Sequence, residues 1–422
     1  MGVPPNLRFS NGRSFRLFTE GVQALKAYEQ NAQKASLENA AGKFSECVSN
    51  YKDVLPRLYL GIVRYYQGEA IDEAVSWLTE VLERNIPELI PTAKYYLAEA
   101  YVSKYTTDDI DHANTIIAEL LSECKTESVD PRLASLRAQI QLQAESLQAF
   151  TLVRQNLWKK STGSEDLTAV ERQATEQLDQ FRTDLQNADL PADVRASLLA
   201  DYQNTRGLLE EYRAHRAKDE KDKIDLANKS LSYFKEAARY GANKADALSN
   251  QARVYQQLLK EDKEAIRLAK EVLEIRENDS FANLLLGRIY ESDQPEFAVH
   301  YYLKAAKFLE EGAFGAGRCY EKLEDFDSAL HYYLKAQAKF PEESALGASR
   351  CYEKLEDFTS ALQELGKVKS KGFFGQASYR SGVIQERLGK TKEACESFAG
   401  VPAEDTEYFG KAQEKLASLP KT

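Results

Sequence analysis

A nearly identical repeat close to the C-terminus decides the fold class. Residues 315–330 read GAGRCYEKLEDFDSAL and residues 347–362 read GASRCYEKLEDFTSAL, so 14 of 16 positions agree after a shift of 32 residues. Self-similarity with a period of about 20 to 50 residues is typical of solenoids and propellers, in which each repeat is one supersecondary unit. The sequence therefore predicts a repeat array over at least this part of the chain.

The spacing of apolar residues within one repeat indicates helices. Between residues 313 and 340 the apolar and small residues recur at steps of three and four, which is the period of an amphipathic helix and not of a strand. The segment 324–328, EDFDS, separates two such stretches and supplies turn and cap residues. Each repeat is therefore predicted to be two antiparallel helices of about a dozen residues.

The segment 310–341 resembles the tetratricopeptide repeat. The matching residues are a small residue and an aromatic in the first helix, two alanines and an aromatic in the second helix, and a final proline: Gly317, Tyr320, Ala329, Ala336, Tyr333 and Pro341. Small residues let two helix axes approach closely, aromatic side chains fill the space beside them, and proline ends a helix. The resemblance implies an all-α fold, a right-handed α-solenoid of antiparallel helix pairs, and a function in binding proteins.

The same frame extends over most of the chain. The alanine that opens the second helix recurs at Ala265, Ala298, Ala329, Ala361 and Ala394, and weaker copies surround Ala40, Ala74 and Ala113. Between them, after a break at 159–164, residues 165–217 are predicted to form a longer helical hairpin. The expected organisation is an N-terminal extension (1–19), N-terminal repeats (20–158), an elongated helical insert (159–226), a C-terminal array (227–415) and a tail (416–422).

Composition excludes several classes of function. The chain has 422 residues and a formal net charge of -10, whereas a nucleic-acid-binding domain needs excess basic residues to neutralise phosphates. No apolar stretch approaches the ~18 residues of a membrane-spanning helix, and the N-terminus does not resemble a secretory signal. Five scattered cysteines indicate a reducing, intracellular location, either cytoplasmic or, in a eukaryote, nuclear.

No pattern typical of catalysis or of cofactor binding is found. There is no GxxxxGK[ST] phosphate-binding loop. His300 and His331 occupy equivalent places in adjacent repeats, but a repeat duplicates its surface together with its core, so their equivalence does not indicate a metal site. Cys319 and Cys351 are equivalent in the same way and are expected to be small buried side chains and not nucleophiles. We expect a protein that is not an enzyme and holds no metal or cofactor.

A row of arginines is the candidate binding site. The residue after the small position of the first helix is arginine in four consecutive repeats, and we call Arg253, Arg288, Arg318 and Arg350 the arginine row. The resemblance to tetratricopeptide repeats implies that this position faces the concave groove formed by the first helices. The guanidinium group is a planar fork of donors suited to carboxylates or phosphates. Further candidates, four residues after or before an arginine, are Lys322, Lys354, Leu284, Phe314 and Leu346.

In a second interpretation, each arginine of the row is neutralised by a glutamate on its own helix. Glu291, Glu321 and Glu353 each follow an arginine by three residues. Ion pairs at this spacing on one helix contribute only about 0.2–0.5 kcal/mol each. Both interpretations remain open at this point.

The sequence thus predicts a noncatalytic scaffold or adaptor that binds an acidic and apolar protein or peptide segment in its groove. Two other functions fit the same repeats, namely a peptide-sensing regulator and an assembly subunit of a larger complex. Regulators of that kind usually carry a DNA-binding helix-turn-helix, and no basic N-terminal motif of that sort is present.

Overall fold

The fold is all-α. The computed structural model describes residues 9–31, 33–68, 71–104, 107–124, 131–159, 167–240, 244–307 and 309–419. Within these ranges there are 21 α-helices and one π-helical turn, and none of these residues lies in a strand. The all-α prediction is therefore confirmed. The described residues contain no helix that is both long and apolar enough to cross a membrane.

The chain divides into two compact units, Met1–Glu277 and Asn278–Thr422, called here the first and the second unit. The helices of the first unit are α1 (Gly12–Asn31), α2 (Lys34–Asn50), α3 (Val54–Gln67), α4 (Ile71–Glu83), α5 (Ile90–Lys104), α6 (Thr107–Cys124), α7 (Pro131–Lys159), α8 (Leu167–Asn187), α9 (Ala192–Arg216), α10 (Glu220–Ala237), α11 (Lys244–Val254) and α12 (Asp262–Ile275). Those of the second unit are α13 (Ser280–Tyr290), α14 (Pro295–Ala305), α15 (Glu310–Lys322), α16 (Phe326–Ala336), α17 (Pro341–Lys354), α18 (Phe358–Leu365), α19 (Lys371–Arg387), α20 (Thr391–Ala399) and α21 (Phe409–Ser418).

Consecutive helices pack as pairs in both units. In the first unit α1 packs against α2, α3 against α4, and so on to α11 and α12; in the second unit the pairs run from α13 and α14 to α19 and α20. Helix α21 packs against the last pair. This is the arrangement of helix pairs that the repeat pattern predicts.

The middle of the chain contains longer helices, as predicted, but the hairpin expected over 165–217 is wrong, because α8 and α9 are not each other's main partners. Helices α7, α8 and α9 have 29, 21 and 25 residues. Helix α9 packs chiefly against α10, and α8 packs chiefly against α7. The close approach of α9 and α10 requires a small residue, because a Cβ atom on Gly207 of α9 would lie only 2.5 Å from the ring of Phe234 of α10. The expected break over 159–164 falls, except for its first residue, outside the described residues.

Glycine–tyrosine contacts set the helix spacing in the second unit. The ring of Tyr302 lies between α13 and α15, where a Cβ atom on Gly287 or Gly315 would come within 2.7 or 2.5 Å of it. Tyr333 lies in the same way against Gly347 of α17, with a corresponding distance of 2.5 Å. Both tyrosines have no exposed surface. The small residues of the repeat are therefore required for neighbouring helices to close on a buried ring.

The turn between the two helices of a repeat contains one residue in the left-handed region. Lys260, Glu324, Glu356 and Gly389 have φ values of 58°, 60°, 62° and 72°. Each lies five residues before the alanine that opens the second helix. In the repeat of Lys260 the first helix has one additional residue, which the π-helical turn Tyr255–Leu259 accommodates.

Candidate binding surface

The arginine row lies on the first helices of the repeats, where each paired arginine reaches a different helix from its own. Arg318 of α15 donates from Nε and Nη2 to the two carboxylate oxygens of Glu291, at 2.7 and 2.6 Å. Arg350 of α17 donates in the same bidentate manner to Glu321 of α15, with 2.8 Å between Nη2 and Oε2. Arg318 and Arg350 are therefore neutralised by a glutamate of the preceding repeat, not by the glutamate three residues later on their own helix.

A buried tyrosine of the second helix completes each of these contacts. The hydroxyl groups of Tyr302 and Tyr333 donate to Glu291 and Glu321, each at 2.6 Å. Burial alone would raise the pKa of both carboxyl groups, but the hydrogen bonds and charges of the arginines, together with the tyrosine hydroxyls, outweigh it and lower the pKa. Both glutamates are thus charged and tie three helices together.

The same contact recurs in other repeats. In the first unit Arg253 of α11 donates to both oxygens of Glu211 of α9, each at 2.7 Å. At the other end of the chain Lys415 Nζ lies 2.7 Å from Glu386 Oε2. Arg380, which is not at the position of the arginine row, pairs with Glu353. We call Glu211, Glu291, Glu321, Glu353 and Glu386 the glutamate row.

Arg288 is the exception in the arginine row. Its side chain is exposed, and it forms no ion pair with any of the residues that the structure describes. The position that corresponds to Glu291 is occupied by Gln256 in the preceding repeat of the sequence, so the repeat pattern supplies no carboxylate for it. Arg288 therefore keeps all of its donors available to solvent or to a ligand.

The two predicted lysines are also accessible. Lys322 is exposed and its Nζ donates to the backbone carbonyl of Glu291 at 3.0 Å. Lys354 is exposed, with Nζ 6.0 Å from the centroid of the Phe326 ring. Both remain candidates for contact with a ligand.

The apolar candidates are placed differently from the prediction. Leu284 and Leu346 are only 7% and 3% exposed, because both face the second helix of their own repeat and belong to its core. The expected apolar strip beside the arginine row is therefore corrected at these two positions. Phe314 is half-buried, and its ring lies 4.9 Å from the guanidinium carbon of Arg318 and 5.1 Å from the ring of Phe340.

The histidines and cysteines of the repeats are arranged without a recognisable reactive site. His300 and His331 are exposed, and no group of three potential metal ligands occurs among the described residues. Cys319 and Cys351 are free and fully buried, and burial raises the pKa of both thiols to about 12. A thiol with so high a pKa is not a nucleophile near neutral pH.

A second group of residues, largely buried tyrosines of the first unit, was not found from the sequence. Six tyrosines of α1, α3 and α5, which we call the tyrosine cluster, are Tyr28, Tyr59, Tyr65, Tyr66, Tyr95 and Tyr96. Neighbouring rings of the cluster other than Tyr59 have centroids 5.1 to 6.2 Å apart, whereas the Tyr59 ring packs on Phe18 and Phe44 at 5.1 and 5.5 Å. Two adjacent tyrosines recur on consecutive first helices, at 65–66 and 95–96, and this is the sequence signal that could have revealed the cluster.

The tyrosine cluster surrounds a carboxylate that has no cationic partner. Glu99 accepts hydrogen bonds from the hydroxyl groups of Tyr95 and Tyr65, at 2.6 and 3.0 Å. It makes no ion pair within the described part of the chain. Burial raises the pKa of Glu99, and the two hydrogen bonds offset this only in part.

Three segments match models of the tetratricopeptide repeat, at residues 247–282, 311–342 and 376–404. The chain contains tetratricopeptide repeats. Such repeats are modules of protein–protein interaction, because their stacking creates extended binding surfaces. A search of curated proteins finds no significant match.

Several solved structures are similar to the chain. PilW, a type IV pilus biogenesis factor, is 17% identical with a TM-score of 0.37 and covers 50% of this chain and 98% of its own. A chain of the APC/C hetero-tetramer Cut9–Hcn1 is 12% identical with a TM-score of 0.35, covering 96% of both chains. Yeast Tom70 is 11% identical with a TM-score of 0.34, covering 95% of this chain and 99% of its own.

The matched tetratricopeptide repeats contain members of the arginine row. The repeat at 311–342 includes Arg318 together with Glu321, and the repeat at 247–282 includes Arg253 together with Gln256. The difference between glutamate and glutamine at one repeat position thus decides whether the repeat offers a carboxylate to the arginine that follows it in the row.

Proposed function

We propose that the protein is a noncatalytic scaffold or adaptor whose tetratricopeptide repeats bind a protein or peptide segment on the first helices of the second unit. The observation that carries the proposal is the exposed Arg288, which lies on this surface without an ion pair. Lys322 and Lys354 are exposed on the first helices of the next two repeats. A ligand with acidic side chains fits these three cations.

The paired arginines also have a place in this proposal. A guanidinium group has five N–H donors, and the bidentate pairs of Arg318 and Arg350 use Nε and Nη2. The side chains of Arg318 and Arg350 are still 39% and 33% exposed. Their main role is to hold neighbouring repeats in register, which presents a rigid surface to a ligand and lowers the entropic cost of binding.

A scaffold and not an enzyme is proposed because the groups that could do chemistry are unsuited to it. The thiols of Cys319 and Cys351 are buried and protonated near neutral pH, and within the described part of the chain no carboxylate–nucleophile arrangement surrounds the exposed His300 and His331. The five cysteines are free thiols, which supports an intracellular location as part of the same proposal.

The experiment starts from the full-length chain. Peptides selected on it from a phage-displayed random library would be titrated against the wild-type protein and the variant Arg288→Glu. We expect Arg288→Glu to weaken binding of acidic peptides by roughly tenfold or more, because a cation that meets a carboxylate becomes an anion.

The matched control is Lys335→Glu. It makes the same change of charge at an exposed residue of a second helix, α16. We expect it to change affinity less than about twofold, because only long-range electrostatics is affected. Equal effects of the two variants, or a selection without acidic peptides, would contradict the proposal.

A further inference from the structure

The two ends of the first unit meet. Lys34, at the start of α2, lies with Nζ 3.2 Å from Glu277 Oε2, although 243 residues separate them. Ile275, the last residue of α12, packs against the same core as α2, α3 and α5. The helices of this unit therefore curve back on themselves, and their first helices face a common interior.

Electrostatic contacts across this interior support that geometry. Burial, and then the charges of Glu99 and of Asp246 in α11, raise the pKa of Tyr65 in α3. Burial, Glu99 and then Asp201 in α9 raise the pKa of Tyr95 in α5. Residues of α3 and α5 thus lie within electrostatic reach of residues of α9 and α11, and the tyrosine cluster faces the interior.

The interior carries negative charge that the protein does not neutralise. Glu99 forms no ion pair with described residues, and burial raises the pKa of its carboxyl group. Glu29 of α1 also forms no ion pair with described residues, but its side chain is exposed to solvent. Among the cations that act on the cluster, Lys26 is exposed, and Arg276 donates to both oxygens of Asp246 at 2.6 and 3.0 Å. Carboxylates in partly desolvated positions are costly unless a cation accompanies them.

Some hydroxyl groups of the tyrosine cluster make no hydrogen bond with the described residues. Tyr28 and Tyr59 are only 2% and 7% exposed, and neither hydroxyl has a hydrogen-bond partner among the described residues. Tyr66 and Tyr96 contact only each other through their hydroxyl groups, at 3.4 Å. Aromatic faces and unpaired phenol oxygens beside a carboxylate attract a cation, whereas an anion would be repelled and a neutral group would leave the charge uncompensated.

We propose that the tyrosine cluster, together with Glu29 and Glu99, is a binding site for an arginine side chain on an extended segment of a partner protein. Arginine is favoured over lysine because its planar guanidinium group stacks on aromatic rings, pairs with carboxylates through two hydrogen bonds, and is less strongly hydrated. This site lies in the first unit and binds a basic segment, whereas the surface proposed in the second unit binds an acidic one.

The test uses the full-length chain and a capped peptide of about eight alternating arginine and serine residues. The same peptide with citrulline in place of arginine is the neutral control of equal shape. We expect isothermal titration calorimetry to show binding of the arginine peptide at least roughly tenfold tighter than that of the citrulline peptide. The variant Glu99→Gln removes this preference.

Two pairs of variants separate a specific site from general attraction to an acidic protein. Glu83→Gln makes the same change of charge at an exposed residue of α4, and we expect it to leave the affinity within about twofold. Tyr66→Phe keeps the aromatic face and Tyr66→Leu removes it, so only the second should weaken binding severalfold. Circular dichroism spectra confirm that each variant is folded.

Several outcomes would overturn this proposal. Equal loss in Glu99→Gln and Glu83→Gln would show attraction by net charge alone, and equal affinity for the citrulline peptide would show a neutral aromatic surface. Unchanged binding in Tyr66→Leu would show that the rings do not contribute. Arg288→Glu should leave the affinity for the arginine peptide unchanged. The test of the tyrosine cluster therefore does not depend on the function proposed for the second unit.

Discussion

Glu291 and Glu321 in the second unit have different partners from Glu99 in the first unit. In the second unit Glu291 and Glu321 each accept two hydrogen bonds from an arginine and one from a tyrosine, and their pKa values are lowered. In the first unit Glu99 accepts hydrogen bonds from two tyrosines and meets no cation, and its pKa is raised. The same residue type on the same kind of helix is therefore stabilising in one place and costly in the other.

The difference shows that a glutamate of a repeat protein can either join neighbouring repeats or stay without a cation until a ligand supplies one. A complete bidentate pair between neighbouring repeats contributes to holding them together. A carboxylate left without a cation lowers stability, and such a cost is typical of sites that are completed by a ligand.

The largest effect is expected where an inter-repeat pair is broken. Arg350→Ala leaves Glu321, which is 22% exposed, without its cation, and should lower the free energy of unfolding of the second unit by about 2 kcal/mol, less than for a fully buried pair. Hydrogen exchange followed by mass spectrometry should show the loss of protection in α15 and α17.

Arg288→Ala is the matched control for this prediction. The exposed Arg288 has no ion pair to lose, so the change in stability should stay within about 0.5 kcal/mol. Similar losses in both variants would mean that the pair of Arg350 and Glu321 adds nothing to stability.

Acidification should affect the two units in opposite directions. The pKa of Glu321 is lowered in the folded state, so its contribution is present above the ordinary value of 4.5 and is lost as the pH falls through the folded pKa. The pKa of Glu99 is raised, so stability is gained as the pH falls through that raised value towards 4.5.

Hydrogen exchange at a series of pH values, corrected for the intrinsic exchange rate, measures both effects in one protein. Glu321→Gln should reduce the acid-induced loss around α15 and α17, and Glu99→Gln should remove the gain around α3 and α5. If protection in the two units changed with pH in the same direction, the opposite roles of Glu321 and Glu99 would be contradicted.

The smallest effect concerns the turn of a repeat. Glu356 has a φ of 62°, a conformation that glycine adopts without strain and that glycine already adopts at the equivalent Gly389. Glu356→Gly should therefore stabilise the second unit by about 0.5 kcal/mol, after the greater entropy of glycine in the unfolded chain is subtracted. Lys335→Gly, in the interior of α16, should instead cost about 1 kcal/mol. Urea unfolding compares the two variants, and a loss of stability in Glu356→Gly would contradict the prediction.

The helices, the repeat frame and the places where small residues are required can be read from the order of the amino acids. These features depend on contacts inside one repeat or with the next one, and they recur, so the 32-residue period and positions such as Gly317 and Tyr333 make them visible. The longer helices of the middle could be predicted from the same apolar period. Their pairing was predicted wrongly, as a hairpin over 165–217, because apolar spacing does not show that Gly207 of α9 meets Phe234 of α10.

The partners of the charged groups depend on how the helices pack and could not be predicted. Glu321 is three residues from Arg318 in the sequence, yet Arg318 pairs with Glu291, which lies 27 residues earlier. A bidentate pair needs the guanidinium fork and the carboxylate in one plane, and the neighbouring helix provides this geometry. The tyrosine cluster also depends on tertiary packing, because three helices must stack before their tyrosines lie side by side. The sequence records which residues a helix carries, whereas the packing of neighbouring helices determines which of them meet.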